Sequence, residues 1–193
     1  MNISTDHWLD GALRRPIAGG QAMPTRRFLV IHFTSGASAE SSIEFWRSPD
    51  AKGASAHIVI DRDGTVYQTR PFNLTCGHAG KSSWKGFTGL NSCSIGIELA
   101  NAGDSEALAK RWSKLPLVDA KHKNGGQVQK WEAYPVAQLA ACEAVAKALV
   151  ARYKLDDVVG HEDIAPSRKN DPGPLFAMKS LRLACGFTGE FGA

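Results

Sequence analysis

The stretch "GHEDIAPSRKNDPGP", residues 160–174, sets His161 and Asp171 ten positions apart, with Lys169 two residues before the aspartate. Pro166, Pro172 and Pro174 interrupt it. Proline fixes φ and removes a backbone donor, so the stretch reads as a shaped loop with neither helical nor strand period. A second histidine, His32, lies near the end of the apolar run "RRFLVIHF" (26–33). Two imidazoles and one carboxylate can form a three-ligand zinc site whose fourth position stays open to water, as hydrolytic zinc centres require. A histidine at a strand end is also commonly a hydrogen-bonded core residue, and spacing alone leaves both readings open.

Such residues need a scaffold. Residues 26–33 are β-rich and apolar on both faces, the pattern of a buried central strand, and "TSGAS" ends it with a turn signal. Ser38 is placed to cap a short helix over 38–48. In 55–70 two β-type runs flank Asp63-Gly64, a dipeptide favoured in tight hairpin turns. Residues 93–100 alternate, with Ile95, Ile97 and Leu99 on one face and Ser94, Gly96 and Glu98 on the other. Residues 101–134 lose periodicity and gather Lys, Gly and Asn, so they read as an insertion or long surface loop. Residues 134–153 are the strongest helix, with Pro135 near the first position and Val136, Leu139, Ala146, Leu149, Val150 and Tyr153 as its apolar face. "DVVG" then gives a short strand and "PLFAMKSLRLA" a last helix. The order predicts an α/β fold in which one domain, residues 1–193, holds a central mixed β-sheet flanked by helices. The zinc site would lie in a cleft at the sheet edge.

Composition narrows the function classes. The 193 residues suit one domain, and 43% hydrophobic with 22% charged residues is ordinary for a soluble globular chain. A net charge of +4 suits an anionic ligand, but no Lys/Arg stripe interleaved with aromatics points to nucleic acid. No run approaches ~18 apolar residues, so no membrane span is expected. The first twenty residues carry charges throughout and no apolar signal core. Cys76, Cys93, Cys142 and Cys185 are scattered without a CxxC pair. Free thiols and a cytoplasmic location are the expectation.

Five blocks, "FLVIHFTSG", "SAHIVIDRDGTVYQ", "CGHAGKSSWKG", "NSCSIGIELANAG" and "VVGHEDIAPSRKNDPGPLF", resemble in order the motifs of the type 2 N-acetylmuramoyl-L-alanine amidases. That zinc family includes AmpD-like recycling amidases, envelope lipoprotein amidases, phage endolysins and peptidoglycan recognition proteins. The blocks span about residues 26–176. The resemblance implies a bound Zn2+ and cleavage of the amide between a muramic-acid lactyl group and L-alanine, with peptidoglycan fragments (muropeptides) as partners and cell-wall recycling as the setting. It matches His32, His161 and Asp171 to the metal ligands, and Glu98 and Lys169 to the catalytic pair. The chemistry agrees: a carboxylate can take a proton from hydrolytic water, and an ammonium suits the oxyanion of a tetrahedral intermediate.

Two departures refine the placement. Endolysins and recognition proteins usually carry tyrosine before the histidine of the "SAH" block, where this chain has Ala56, and often cysteine as third ligand, where it has Asp171. Both features resemble the AmpD-like branch, in which a glutamate is the base. His78 of "CGHAG" matches a position near the sugar and lactyl group, and Trp84 of "SSWKG" is a candidate sugar platform; both are expected to bind substrate. His57 reads as structural, and His7 and His122 as solvent-exposed. Two rival functions stay open: a lytic amidase of phage or envelope acting on intact wall, and a muropeptide-binding module without catalysis. The complete ligand set argues against the second.

Overall fold

The run Phe-Leu-Val-Ile-His-Phe holds no carboxylate or ammonium, a composition that suits a strand covered on both faces. In a computed structural model, which describes residues 1–189, it forms such a strand, with every residue buried. In chain order the elements are β1 (Leu13–Arg14), β2 (Phe28–Phe33), α1 (Ala39–Arg47), β3 (Ile58–Ile60), β4 (Val66–Gln68), β5 (Ser83–Trp84), β6 (Phe87–Thr88), β7 (Ser94–Leu99), α2 (Glu106–Trp112), β8 (Leu117–Lys121), β9 (Val128–Glu132), α3 (Val136–Tyr153), β10 (Asp157–Gly160), α4 (His161–Ile164) and α5 (Met178–Ala184). Six strands form one sheet in the order β1-β4-β3-β7-β2-β10. Only β3 and β4 are antiparallel, so the sheet is mixed, as expected.

Parallel pairing aligns β10, β2 and β7 so that their C-terminal ends share one edge. Ile31 stands beside Ile97 and His32 beside Glu98. The alternation of β7 then sorts its side chains. Ile95, Ile97 and Leu99 join Leu29 and Ile31 in a core that includes Cys142, Val145, Ala146 and Leu149 of α3 and Leu181 of α5. The opposite face carries His32 and Glu98. On that face Ala39 and Ile43 of α1 pack against Val59 and Tyr67. Ser38 caps α1 in a capping box with Ser41, as the sequence suggested. The predicted hairpin also forms, and Gly64 at its turn has φ +88°, which glycine adopts without strain.

Several expectations need correction. Residues 101–134 are not a structureless insertion. They form α2 and the β8–β9 hairpin, whose Trp131 is buried. The buried face of α3 runs through Gln138, Cys142, Val145, Ala146 and Leu149, whereas Val136 is 84% exposed. Gln138 is buried because its amide nitrogen donates to the carbonyls of Ile60 and Ala100, satisfying the ends of β3 and β7. The loop opening at Gly160 begins with one helical turn, α4. His7 is half-buried, its Nδ1 2.8 Å from the Tyr153 hydroxyl, and is not a free surface residue. All four cysteines are free thiols. Among the described residues no helix is long and apolar enough to cross a membrane.

Candidate metal centre

His32 ends the face of β2 that also carries Phe28 and Val30, and His161 follows β10 directly, so parallel pairing places both imidazoles at the same edge of the sheet. Asp171 returns to them because its loop is braced from several sides. Its carbonyl accepts from Glu162 N (2.8 Å), and the Glu162 carboxylate accepts from Gly173 N (3.1 Å). The Tyr134 hydroxyl donates to the Pro172 carbonyl at 2.8 Å. Gly173 lies at φ +79° under Trp131, where an added Cβ would approach the indole to 2.7 Å. Arg168 donates to the carbonyls of Ala79 and Lys81, both at 2.9 Å, fastening this loop to the segment before β5.

The three predicted ligands meet. His32 Nδ1 lies 2.9 Å from His161 Nδ1 and 2.8 Å from Asp171 Oδ2, and His161 Nδ1 lies 3.0 Å from the same oxygen. All three residues are buried, and together they form a group able to hold a metal ion. The outer ring nitrogens fix what the inner ones present. His161 Nε2 is 3.1 Å from the Ala79 carbonyl, which only accepts; the Arg168 guanidinium is farther, at 3.4 Å, and donates to the carbonyls of Ala79 and Lys81, so that nitrogen bears the proton and Nδ1 is a lone pair. His78 Nε2 faces the Ser94 carbonyl (3.4 Å) and hydroxyl (3.2 Å), and the hydroxyl itself donates to Leu90 O. His78 Nδ1 is therefore the acceptor for His32 Nε2 at 3.0 Å, and His32 Nδ1 is also a lone pair. Two imidazole lone pairs and a carboxylate oxygen converging within 3.0 Å repel one another unless a cation lies between them. Neutral imidazole, neutral imidazole and carboxylate is a donor set that fits Zn2+.

The electrostatics run the same way. Burial, reinforced by the neighbouring His161, pushes His32 down to about 4, which keeps it neutral. Burial works against ionisation of Asp171, yet the close approach of the two imidazoles holds its carboxyl well below the usual range. Glu98 stands beside His32 with its Oε2 buried and unpartnered. Burial, then the charge of Asp171, drives its carboxyl well above the ordinary value, while Lys169 pulls the other way. Lys169 is half-buried and near enough for its charge to act on both His32 and Glu98. Among the described residues it forms no salt bridge. The arrangement therefore offers a candidate metal pocket with an unengaged carboxylate and an unengaged ammonium beside it, the components of hydrolysis at a carbonyl.

His78 and Trp84 are placed differently from the substrate contacts expected of them. Both ring nitrogens of His78 are committed to His32 and Ser94, and the residue is 8% exposed. Trp84 donates from Nε1 to Asp157 at 3.1 Å and packs against the cluster around Phe28 and Leu90. Asp157 opens β10, three strand steps or about 10 Å from the end that carries His161. His57 is structural, as read: its Nδ1 accepts from Gly96 N and its Nε2 donates to Leu74 O.

Other supports escaped the sequence reading. His122 is not solvent-exposed. Its Nε2 is 2.6 Å from the Glu162 carboxylate, and its ring stacks on Trp131. Lys123 pairs with Glu162 (2.8 Å) and Asp163 (2.5 Å). The tip "KHKN" thus clamps the acidic turn "HED" that carries His161. That charge complementarity was the available signal.

Comparison with known proteins follows the same outline. A family model described as N-acetylmuramoyl-L-alanine amidase matches residues 21–174. The N-acetylmuramoyl-L-alanine amidase AmiD of Escherichia coli (strain K12) is 35% identical over 169 residues, covering 83% of this chain and 53% of AmiD. The 1,6-anhydro-N-acetylmuramyl-L-alanine amidase AmpD of Citrobacter freundii is 37% identical over 130 residues, 66% of this chain and 55% of AmpD. The chain thus spans about half the length of these curated relatives. Among solved structures, a selenomethionine derivative of AmpD superposes with a TM-score of 0.69 at 30% identity, covering 95% of this chain and 99% of that one. A complex of E. coli AmiD with the substrate anhydro-N-acetylmuramic acid-L-Ala-D-γ-Glu-L-Lys gives 0.66 at 32% identity, covering 87% and 60%.

Proposed function

The chain belongs to the N-acetylmuramoyl-L-alanine amidase family, and we propose that it hydrolyses the amide joining the lactyl group of (anhydro)muramic acid to L-alanine. The observation that carries this reading is the convergence of His32 Nδ1, His161 Nδ1 and Asp171 Oδ2, with Glu98 and Lys169 beside them. These three ligands would hold Zn2+, which supplies Lewis-acid polarisation and lets water attack near neutral pH.

The chain's own groups do the rest. Glu98 takes a proton from the attacking water through its unpartnered Oε2. The water oxygen adds to the lactyl carbonyl carbon, and the Lys169 ammonium faces the negative charge that develops on the carbonyl oxygen. When the C–N bond breaks, Glu98 returns its proton to the departing nitrogen. The products are a muramic carboxylate and a stem peptide with a free α-amino group on alanine.

Soluble anhydro-muropeptides from wall recycling are the proposed substrate class, in the cytoplasm. Two relatives support it: AmpD of C. freundii carries the anhydro substrate in its name, and AmiD was solved with such a fragment. Free, mostly buried thiols suit a reducing compartment. The test is mass spectrometry of products from zinc-loaded protein given soluble anhydro-muropeptides or purified sacculi. Release of stem peptide with a free N-terminal alanine, faster from the soluble fragments, is expected. Faster release from sacculi would overturn the recycling role, and no release from either would overturn the amidase.

A further inference from the structure

We infer that His78 is a positioning residue for the metal centre: its neutral imidazole accepts the outer N–H of ligand His32 and so fixes that ligand's tautomer and ring plane. The inference rests on His32, His161 and Asp171 holding a metal, not on the substrate cleaved.

The geometry leaves His78 little else to do. Its Nδ1 is 3.0 Å from His32 Nε2, and the two rings meet nearly edge to face, at 82°. The His32 proton thus lies on Nε2 and the lone pair on Nδ1, aimed at His161 and Asp171. The chain continues from His78 Nε2 to the Ser94 hydroxyl and from there to the Leu90 carbonyl, so no donor along it lacks an acceptor. Sequence dictates the slot as well. His78 lies over Gly96, where an added Cβ would stand 2.6 Å from its ring. A glycine two residues before Glu98, on the same strand face, is what admits the ring.

The choice of acceptor has a chemical consequence. Metal-bound histidines usually donate their outer N–H to a carboxylate, a carbonyl or water. The second ligand follows that habit, with His161 donating to Ala79 O. His32 instead donates to an imidazole. That acceptor orients the ligand without adding negative charge to a buried cluster already holding Asp171 and Glu98. Neither the metal-ligand motifs nor residue spacing contains this contact, because 46 residues separate His32 from His78.

The experiment compares wild type with His78→Asn, His78→Gln and His78→Leu. Zn2+ affinity is measured by competition with a chromophoric chelator, and the visible spectrum is recorded after loading with Co2+. Asparagine places its oxygen where Nδ1 stood and should stay close to wild type in both. Glutamine places it where Nε2 stood and, like leucine, should lose about 10- to 100-fold in affinity with a shifted cobalt spectrum. The contrast between two folded amides keeps the test sound should leucine not fold. Equal affinity and an unchanged spectrum across all variants would overturn the positioning role. A wild type that takes up neither metal would overturn the metal assignment beneath it.

Discussion

The two faces of the β2–β7 pair differ sharply in chemistry. On one face Leu29, Ile31, Ile95, Ile97 and Leu99 are wholly buried beneath α3 and α5. On the other, one residue out of step, Val30 gives way to His32 and Gly96 to Glu98. The same backbone is therefore an anchor on one side and a reagent on the other. Strand periodicity of two makes this possible, and it also makes the register unforgiving, since a slip of one residue would turn the histidine into the aliphatic layer and the isoleucines toward the ligand cluster. The lesson concerns rigidity. Lone pairs held about 3 Å apart without relaxing need a support that cannot move, and a dry aliphatic layer directly behind them provides it.

Substitutions that alter one face only should separate chemistry from stability. The largest effect is expected at Glu98. Glu98→Gln should lower kcat about 10²- to 10⁴-fold, the usual cost of losing a general base, while zinc content stays stoichiometric. It should also flatten the acidic limb of the pH–rate profile. Stability should move in the opposite direction. Because the folded protein raises the Glu98 carboxyl well above its ordinary 4.5, ionising it costs stability as pH rises past that value. Metal-free Glu98→Gln should therefore melt higher than wild type at neutral pH, and that advantage should vanish below pH 4.5. Melting curves at the two pH values, set beside steady-state rates, check both halves. A variant that kept most of its kcat would place the base elsewhere.

The smaller effect belongs to the anchoring face. Ile97 is completely buried and one residue from Glu98. Ile97→Val should cost about 0.5–1.5 kcal/mol of folding stability for the lost methylene. Zinc affinity and kcat should stay unchanged. Chemical denaturation and chelator competition on one preparation measure the two quantities. A large fall in metal affinity would show that the faces are not separable as described.

How much of this was legible in sequence follows from the range of the forces involved. β2, β7, the Asp63-Gly64 hairpin and the Ser38 cap are set by neighbours two to four residues apart, and local pattern captured them. The face of α3 was misjudged because small residues, Ala146 and Cys142, and a hydrogen-bonded Gln138 are buried in place of Val136. The helix–hairpin unit over 106–132 was missed for another reason. Much of what fixes it is long-range: Trp131 over Gly173, and His122 and Lys123 on the α4 acids. The proposed metal ligands were named through a family resemblance, since spacing alone left His32 ambiguous. The role inferred for His78 needed coordinates, because its partner lies on another strand.

The central claim is that one face of this strand pair, with the two loops it supports, is a zinc site. Elemental analysis and zinc titration of the purified protein beside Asp171→Ala test it most directly. The account predicts one tightly held zinc per wild-type chain, loss of activity on chelation with recovery on adding Zn2+, and no stoichiometric zinc in the variant. Wild-type protein that binds no stoichiometric zinc, or whose activity is indifferent to a chelator, would contradict it.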